Sequence, residues 1–382
     1  MEARQDIRWH REPGEAGMSR EVLEQGLAEA RRGLEAGLHR GVQGYIGRHG
    51  QPVLEYALGE ARAGTPLSVD SIVPWFSSGK PVVAMAVALL FERGRLGLDD
   101  PVHRYLPRFP RELGACTLRH VLTHTGGFPG ALDPLEEPER ETVLERVFTH
   151  GQEYAPGTRA AYHATTGWYI LGEIVRLVDG RPVERFAAEE IFSPLGMASS
   201  HLGIPADRQG ELAGLLAHVH LGAVPGEHFA SQDFVDHMNS PRGLASVNPS
   251  GGIRGPARDL GRFYDWLLAG GTWEGRMIIS RSTVELFTAC HRWGMPDMTL
   301  GGAPLAWGLG FGKYGNADVH REYSRRVFNH SGMVSSVGLA DPEHGLSCVV
   351  ITTGLLDPLS NSRRLRELNG AAIRACDAGR RP

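Results

Sequence analysis

Hydrophobic positions along this chain follow two different periods. Residues 44–59 alternate and turn at His49-Gly50-Gln51, which predicts a β-hairpin, and residues 319–353 predict two more strands around Asp341-Pro342-Glu343-His344-Gly345. Between these ends the spacing is mostly helical: 82–93 closing at Gly94, 117–122, 141–147, 162–178 closing at Gly180, and 183–191. Val22, Leu23, Leu27, Ala30, Leu34 and Leu38 mark an amphipathic helix over 20–39, and 258–268, closing at Gly270, is another. The pattern predicts an α/β (α+β) architecture. One lobe is built from both ends of the chain, about 19–76 and 245–376, and a mostly helical lobe, about 77–244, is inserted between them. Residues 1–18 are polar and alternately charged and read as a flexible arm ahead of a single domain over 19–382.

Composition narrows the function. The chain has 382 residues and a formal charge of −4, so no global positive excess exists to track nucleic acid or an anionic membrane. The longest apolar run, 81–91, is far short of a bilayer span, and the N-terminus lacks the apolar stretch of a secretory signal. The expectation is a soluble, cytoplasmic protein with no nucleic-acid or membrane partner. Cys116, Cys290, Cys348 and Cys376 never form C-x-x-C, so reduced structural thiols are expected, with no metal and no cofactor. Only two of the 40 basic residues are lysines, Lys80 and Lys313. Arginine cannot be deprotonated in a protein whereas a desolvated lysine can, so a position that must act as a base has to remain lysine.

Several signatures are missing: there is no G-x-S-x-G elbow and no H-E-x-x-H. Residues 310–315 match G-x-G-x-x-G but precede a polar stretch where a dinucleotide site needs a helix. What survives is Ser77-Ser78-Gly79-Lys80, an S-x-x-K followed by Pro81 and a strongly apolar helix. Three residues is nearly one helical turn, so the amine of Lys80 can reach the hydroxyl of Ser77. The helix N-terminus would favour a developing negative charge there. Read alone, Ser77 is equally well a plain N-cap.

Further along come Tyr162-His163-Ala164, after a Pro156-Gly157 turn, and His330-Ser331-Gly332-Met333, leading into a strand. With "GRLGLDDPVHRYLP", "LRHVLTHTGGFPG" and "PSGGIRGPARDLGRFYDWLLAGG" around them, the sequence resembles the serine β-lactamase and penicillin-binding-protein superfamily over about residues 20–375. The branch is the class C-like one that includes family VIII carboxylesterases and acyltransferases. The resemblance implies an antiparallel sheet flanked by helices with the helical lobe inserted. It implies Ser77 as acyl-accepting nucleophile, Lys80 as the lysine that helps deprotonate it, and Tyr162 as sharing the base role. It also implies His330, Ser331 and Gly332 as the third motif lining the site. The backbone N–H groups of Ser77 and Met333 are the expected oxyanion hole. Mutual contact and burial are expected to pull down the pKa values of Lys80 and Tyr162. Trp307, with Phe311, is read either as a wall of the acyl pocket or as core, and His124 as a support of the helical lobe outside the chemistry.

Two positions depart from the drug-cleaving members. Ala164 stands where an amide-reading Asn is usual, and His330 where a fixed Lys cation is usual; both weaken recognition of a carboxylate-bearing peptide or β-lactam. The expected function is therefore a serine esterase or acyltransferase working through a Ser77 acyl-enzyme. Its substrate is a small ester, amide or activated acyl compound, with water, an alcohol or an amine as acceptor, and a transacylase of specialised metabolism fits. The competing readings are a D-peptidase or β-lactamase and an inactive acyl-binding or scaffold protein.

Overall fold

In a computed structural model describing residues 5–130, 139–224 and 228–379, the alternating segments from the two ends of the chain pair with one another. The N-terminal strands are Gln5–Trp9 (β1), Gly41–Arg48 (β2) and Gln51–Arg62 (β3). The C-terminal strands are Phe328–Gly332 (β4), Ser336–Asp341 (β5) and Leu346–Thr352 (β6). Their order is β1-β3-β2-β6-β5-β4, antiparallel throughout, with a two-residue piece at Thr65–Pro66 added to β3. The seam between the two ends is β2–β6, where Val42 lies opposite Thr352 and Arg48 opposite Leu346.

A period of two sorts the side chains. Along β6, Leu346, Cys348 and Val350 face a layer made by the helices Arg20–Glu35 (α1) and Pro358–Ala378 (α5). Val349 and Ile351 face the opposite side. There they meet Ala257–Leu268 (α4) and a larger core built on Lys80–Glu92 (α2) and Thr166–Asp179 (α3). Every residue of α2 from Lys80 to Leu90 is buried. Truncating one of its large side chains, such as Met85, costs about 2–5 kcal/mol. The helix ends at Gly94, at φ +65°, with the N–H groups of Gly94 and Arg95 closing on the carbonyls of Phe91 and Leu90.

Two expectations change. The arm expected over residues 1–18 is ordered where it is described: Gln5–Trp9 forms the edge strand β1, and Ile7 and Trp9 pack against the α1/α5 core. The helix expected to start at Tyr162 starts at Thr166, because the amides of residues 161–163 bond to other parts of the chain. Among the described residues of 77–244 the regular elements are nearly all helices, with short strand pieces at His201–Leu202 and His220–Leu221. Among the described residues no helix is long and apolar enough to cross a membrane.

Candidate active site

Of the twenty residues 71–90, Ser77 is the only one that is not buried. It sits in a 3₁₀ turn, Phe76–Gly79, that leads directly into α2. Its neighbour Ser78 is fully buried, donating to the His330 carbonyl at 3.0 Å and sharing a 3.0 Å bond with Ser336 Oγ. Ser78 is thus a staple between the turn and strands β4 and β5. Gly332 explains how the strand approaches so closely: a Cβ there would lie 2.2 Å from the Trp75 carbonyl oxygen and 2.3 Å from Ser336 Oγ. The turn is strained as well as packed. Phe76 at φ +50°, Val334 at +44° and His124 at +59° are left-handed without being glycine, and all three lie around this site.

Lys80 Nζ lies 2.8 Å from Ser77 Oγ and 2.5 Å from the Ser250 carbonyl oxygen. The side chain is 1% exposed, and no carboxylate pairs with it among the described residues. Burial alone holds its pKa well below the ordinary lysine value, so the neutral amine is favoured. The carbonyl that receives it is positioned by Asn248, whose Oδ1 accepts from the Ser250 amide at 2.9 Å and from the Ser250 hydroxyl at 2.6 Å.

Tyr162 is hydrogen-bonded to Ser77, and its ring lies 5.5 Å from Lys80 Nζ. Here the expectation of a lowered pKa fails. Burial raises the phenol well above its ordinary value, the Ser77 bond lowers it, and the charge of Asp297 raises it again. Desolvation disfavours whichever form is charged, so one environment pushes an amine down and a phenol up. The same burial thus favours the neutral form of both groups.

The Tyr162 backbone is held by partners that the sequence did not reveal. Ala161 N–H donates to the His124 carbonyl at 3.0 Å, and His163 N–H to His124 Nδ1 at 3.1 Å. Tyr162 N–H itself meets Thr299 Oγ1 at 2.8 Å and Asp297 Oδ1 at 3.1 Å. His124, expected only as a lobe support, also lies 4.7 Å ring to ring from both Tyr162 and Trp307.

The third motif completes the cluster. His330 is buried, its ring 6.1 Å from Tyr162 and 5.4 Å from Trp307, with Nδ1 on the Ser331 carbonyl at 2.8 Å. Burial and then Lys80 lower its pKa to about 3, so the ring is neutral near neutral pH. Trp307 stacks on Tyr162 at 5.9 Å, which places it in the site, whereas Phe311 packs edge-on against Phe328 in the core. Ser331 Oγ accepts from Asn316 Nδ2 at 3.1 Å. Met333 joins a small apolar cluster with Phe76, Phe234 and Leu355. Ser77, Lys80, Tyr162, Trp307 and the strand from His330 therefore converge.

The chain is 29% identical over 337 residues to the esterase/beta-lactamase LipL of Mycobacterium tuberculosis, covering 81% of this chain and 76% of that one. Its fold matches a penicillin-binding protein homologue from Caulobacter crescentus with a TM-score of 0.77 at 26% identity, covering 96% and 100% of the two chains. It matches a family VIII carboxylesterase with the same TM-score at 22% identity, covering 97% and 100%. The family model described as Beta-lactamase spans residues 28–372, taking in the Ser77 turn, the Tyr162 loop and the His330 strand together, and the chain belongs to that family.

Proposed function

We propose that this protein is a serine esterase or acyltransferase that forms an acyl-enzyme on Ser77. The observation that carries the reading is the 2.8 Å contact between Ser77 Oγ and a buried Lys80 amine that, among the described residues, no carboxylate holds in its charged form. A neutral amine at that distance accepts the Ser77 hydroxyl proton as Oγ attacks the acyl carbonyl. The oxyanion is taken by the backbone N–H groups of Ser77 and Met333. As the tetrahedral intermediate collapses, the ester C–O bond breaks and the leaving alkoxide receives the Tyr162 phenolic proton; Lys80 then returns its proton to Tyr162. Deacylation runs the same relay in reverse with water or an alcohol as nucleophile. This assigns the base role in acylation to Lys80 and the acid role to Tyr162, since burial favours the neutral form of each.

Esters are favoured over β-lactams and D-peptides because those substrates carry a carboxylate. His330, neutral above about pH 3, offers no cation to fix one, and Ala164 offers no amide. The test is intact-mass detection of the adduct together with kcat/KM for a short-chain p-nitrophenyl ester and a cephalosporin. The ester should be favoured at least about a hundredfold, roughly 2.7 kcal/mol of transition-state discrimination. Comparable efficiencies would restore a β-lactamase, and no adduct at Ser77 with either would reject both.

A further inference from the structure

Tyr162 lies in neither a helix nor a strand; its place depends on what its backbone bonds to. The amides of residues 161, 162 and 163 are each taken by a residue distant in sequence, the first and third by His124 and the middle one by Asp297 and Thr299. Asp297 is fully buried and bonded by Arg292 at 3.1 Å, and a second nitrogen of Arg292 reaches the Thr123 carbonyl at 3.0 Å, one residue from His124. Ala160 bridges to Asp297, and Met298 N–H donates to the Ala160 carbonyl at 2.9 Å. The bonds form a closed ring through 292–299, 160–163 and 123–124. Burying an ion pair is a poor way to stabilise a surface loop, because desolvation offsets most of the attraction. The loop is a surface one: Trp293 is 73% exposed and Met298 58%.

We propose that Asp297 and Thr299 are positioning residues for the Tyr162 phenol, fixing its backbone so that the hydroxyl stays on Ser77 and can protonate a departing alkoxide. The inference rests on the acyl-enzyme reading above, with Tyr162 as proton donor. It makes a demand that a purely structural role does not. A p-nitrophenolate leaves without help, whereas an ethoxide needs a proton as its bond breaks, so a misplaced phenol penalises the ethyl ester selectively. General loosening of the fold slows both esters alike.

The experiment compares kcat/KM, which reports acylation and not the deacylation step that both esters share, for ethyl and p-nitrophenyl esters of one acid in wild type, Tyr162→Phe, Asp297→Ala, Asp297→Asn and Thr299→Val, with thermal melting of each. Asp297→Ala should lower kcat/KM for the ethyl ester by about 10–100-fold more than for the p-nitrophenyl ester. Thr299→Val should move the ratio the same way by less, and Asp297→Asn, whose amide oxygen still accepts from Tyr162 N–H, should recover most of it. Thr299 is exposed, so Thr299→Val decides the matter if Asp297→Ala does not fold. Equal losses of kcat/KM on both esters in the folded Asp297 and Thr299 variants, or no loss, overturn the proposal while Tyr162→Phe remains selective. If Tyr162→Phe itself slows both esters equally, the donor assignment falls and this inference falls with it.

Discussion

Replacing Lys80 by arginine separates a base from a mere cation. The amine sits 2.5 Å from the Ser250 carbonyl oxygen, 2.8 Å from Ser77 Oγ and 5.5 Å from the centres of the Tyr162 and Trp168 rings. An arginine keeps positive charge there but releases no proton near neutral pH. Base assistance worth about 10²–10⁴-fold in acylation should vanish, roughly 2.7–5.5 kcal/mol at 1.36 kcal/mol per decade. Because guanidinium is bulkier, Lys80→Met serves as a companion that removes the amine at similar length. Single-turnover acylation by a p-nitrophenyl ester, followed by intact mass, gives the rate, and thermal melting shows whether each variant folds. Linkage gives an independent check. Unfolded chains keep Lys80 protonated up to about its ordinary value of 10.5, whereas the folded amine gives up its proton at lower pH. Between those two values the unfolded state binds more protons, so wild-type stability should rise with pH relative to Lys80→Met, by about 1.4 kcal/mol per unit. A folded Lys80→Arg enzyme that acylates within about tenfold of wild type, or a flat stability difference from pH 7 to 10, would refute the neutral-base argument.

Other residues give sharper, smaller tests. Ser77→Ala should abolish the acyl adduct seen by peptide mass, while Ser78→Ala should keep it and lose about 1–3 kcal/mol in denaturant melts, since it unties the His330 carbonyl and Ser336. His330→Gln should leave the pH–rate profile from 5 to 9 in place, because the imidazole is already neutral above about 3; a limb near 6.5 that disappears in the variant would contradict this. Gly332→Ala should push β4 off the Ser77 turn, since its Cβ would sit 2.2 Å from the Trp75 carbonyl oxygen. It should cost about 1–3 kcal/mol of stability along with acylation, and a stable, fully active variant would show that the close approach is dispensable.

The readable parts of the sequence were those where one local pattern does one job. The alternation around His49-Gly50-Gln51 gave the hairpin of β2 and β3, and the apolar run behind Lys80 gave α2. The spacing of Ser77 and Lys80 is a one-turn relation, so their contact could be stated in advance. Asp297, Thr299 and Ser250 were not readable, because they act through bonds that involve the backbone and join residues remote in sequence, and they sit in loops with no period; Asn248 enters only by holding Ser250. His124 stood in a quoted motif, but nothing local tells that its ring and carbonyl will meet residues 161–163. Tyr162 misled in another way: burial was foreseen, but its effect has the opposite sign on a phenol and on an amine.

The β2–β6 seam bears on how the protein comes into being. Val42 meets Thr352, and the Gly41 amide rests on Thr353 Oγ1 at 2.9 Å, across some three hundred residues of chain. On a ribosome, the hairpin of β2 and β3 must wait through synthesis of the entire helical lobe before its partner strand emerges. Its unpaired edge is a hazard for that interval. Pairing of such distant segments is also the slow step expected from loop closure. Ser77 gains the backing of β4 only when this strand joins, so acylating ability should appear late in refolding, after the helices have formed.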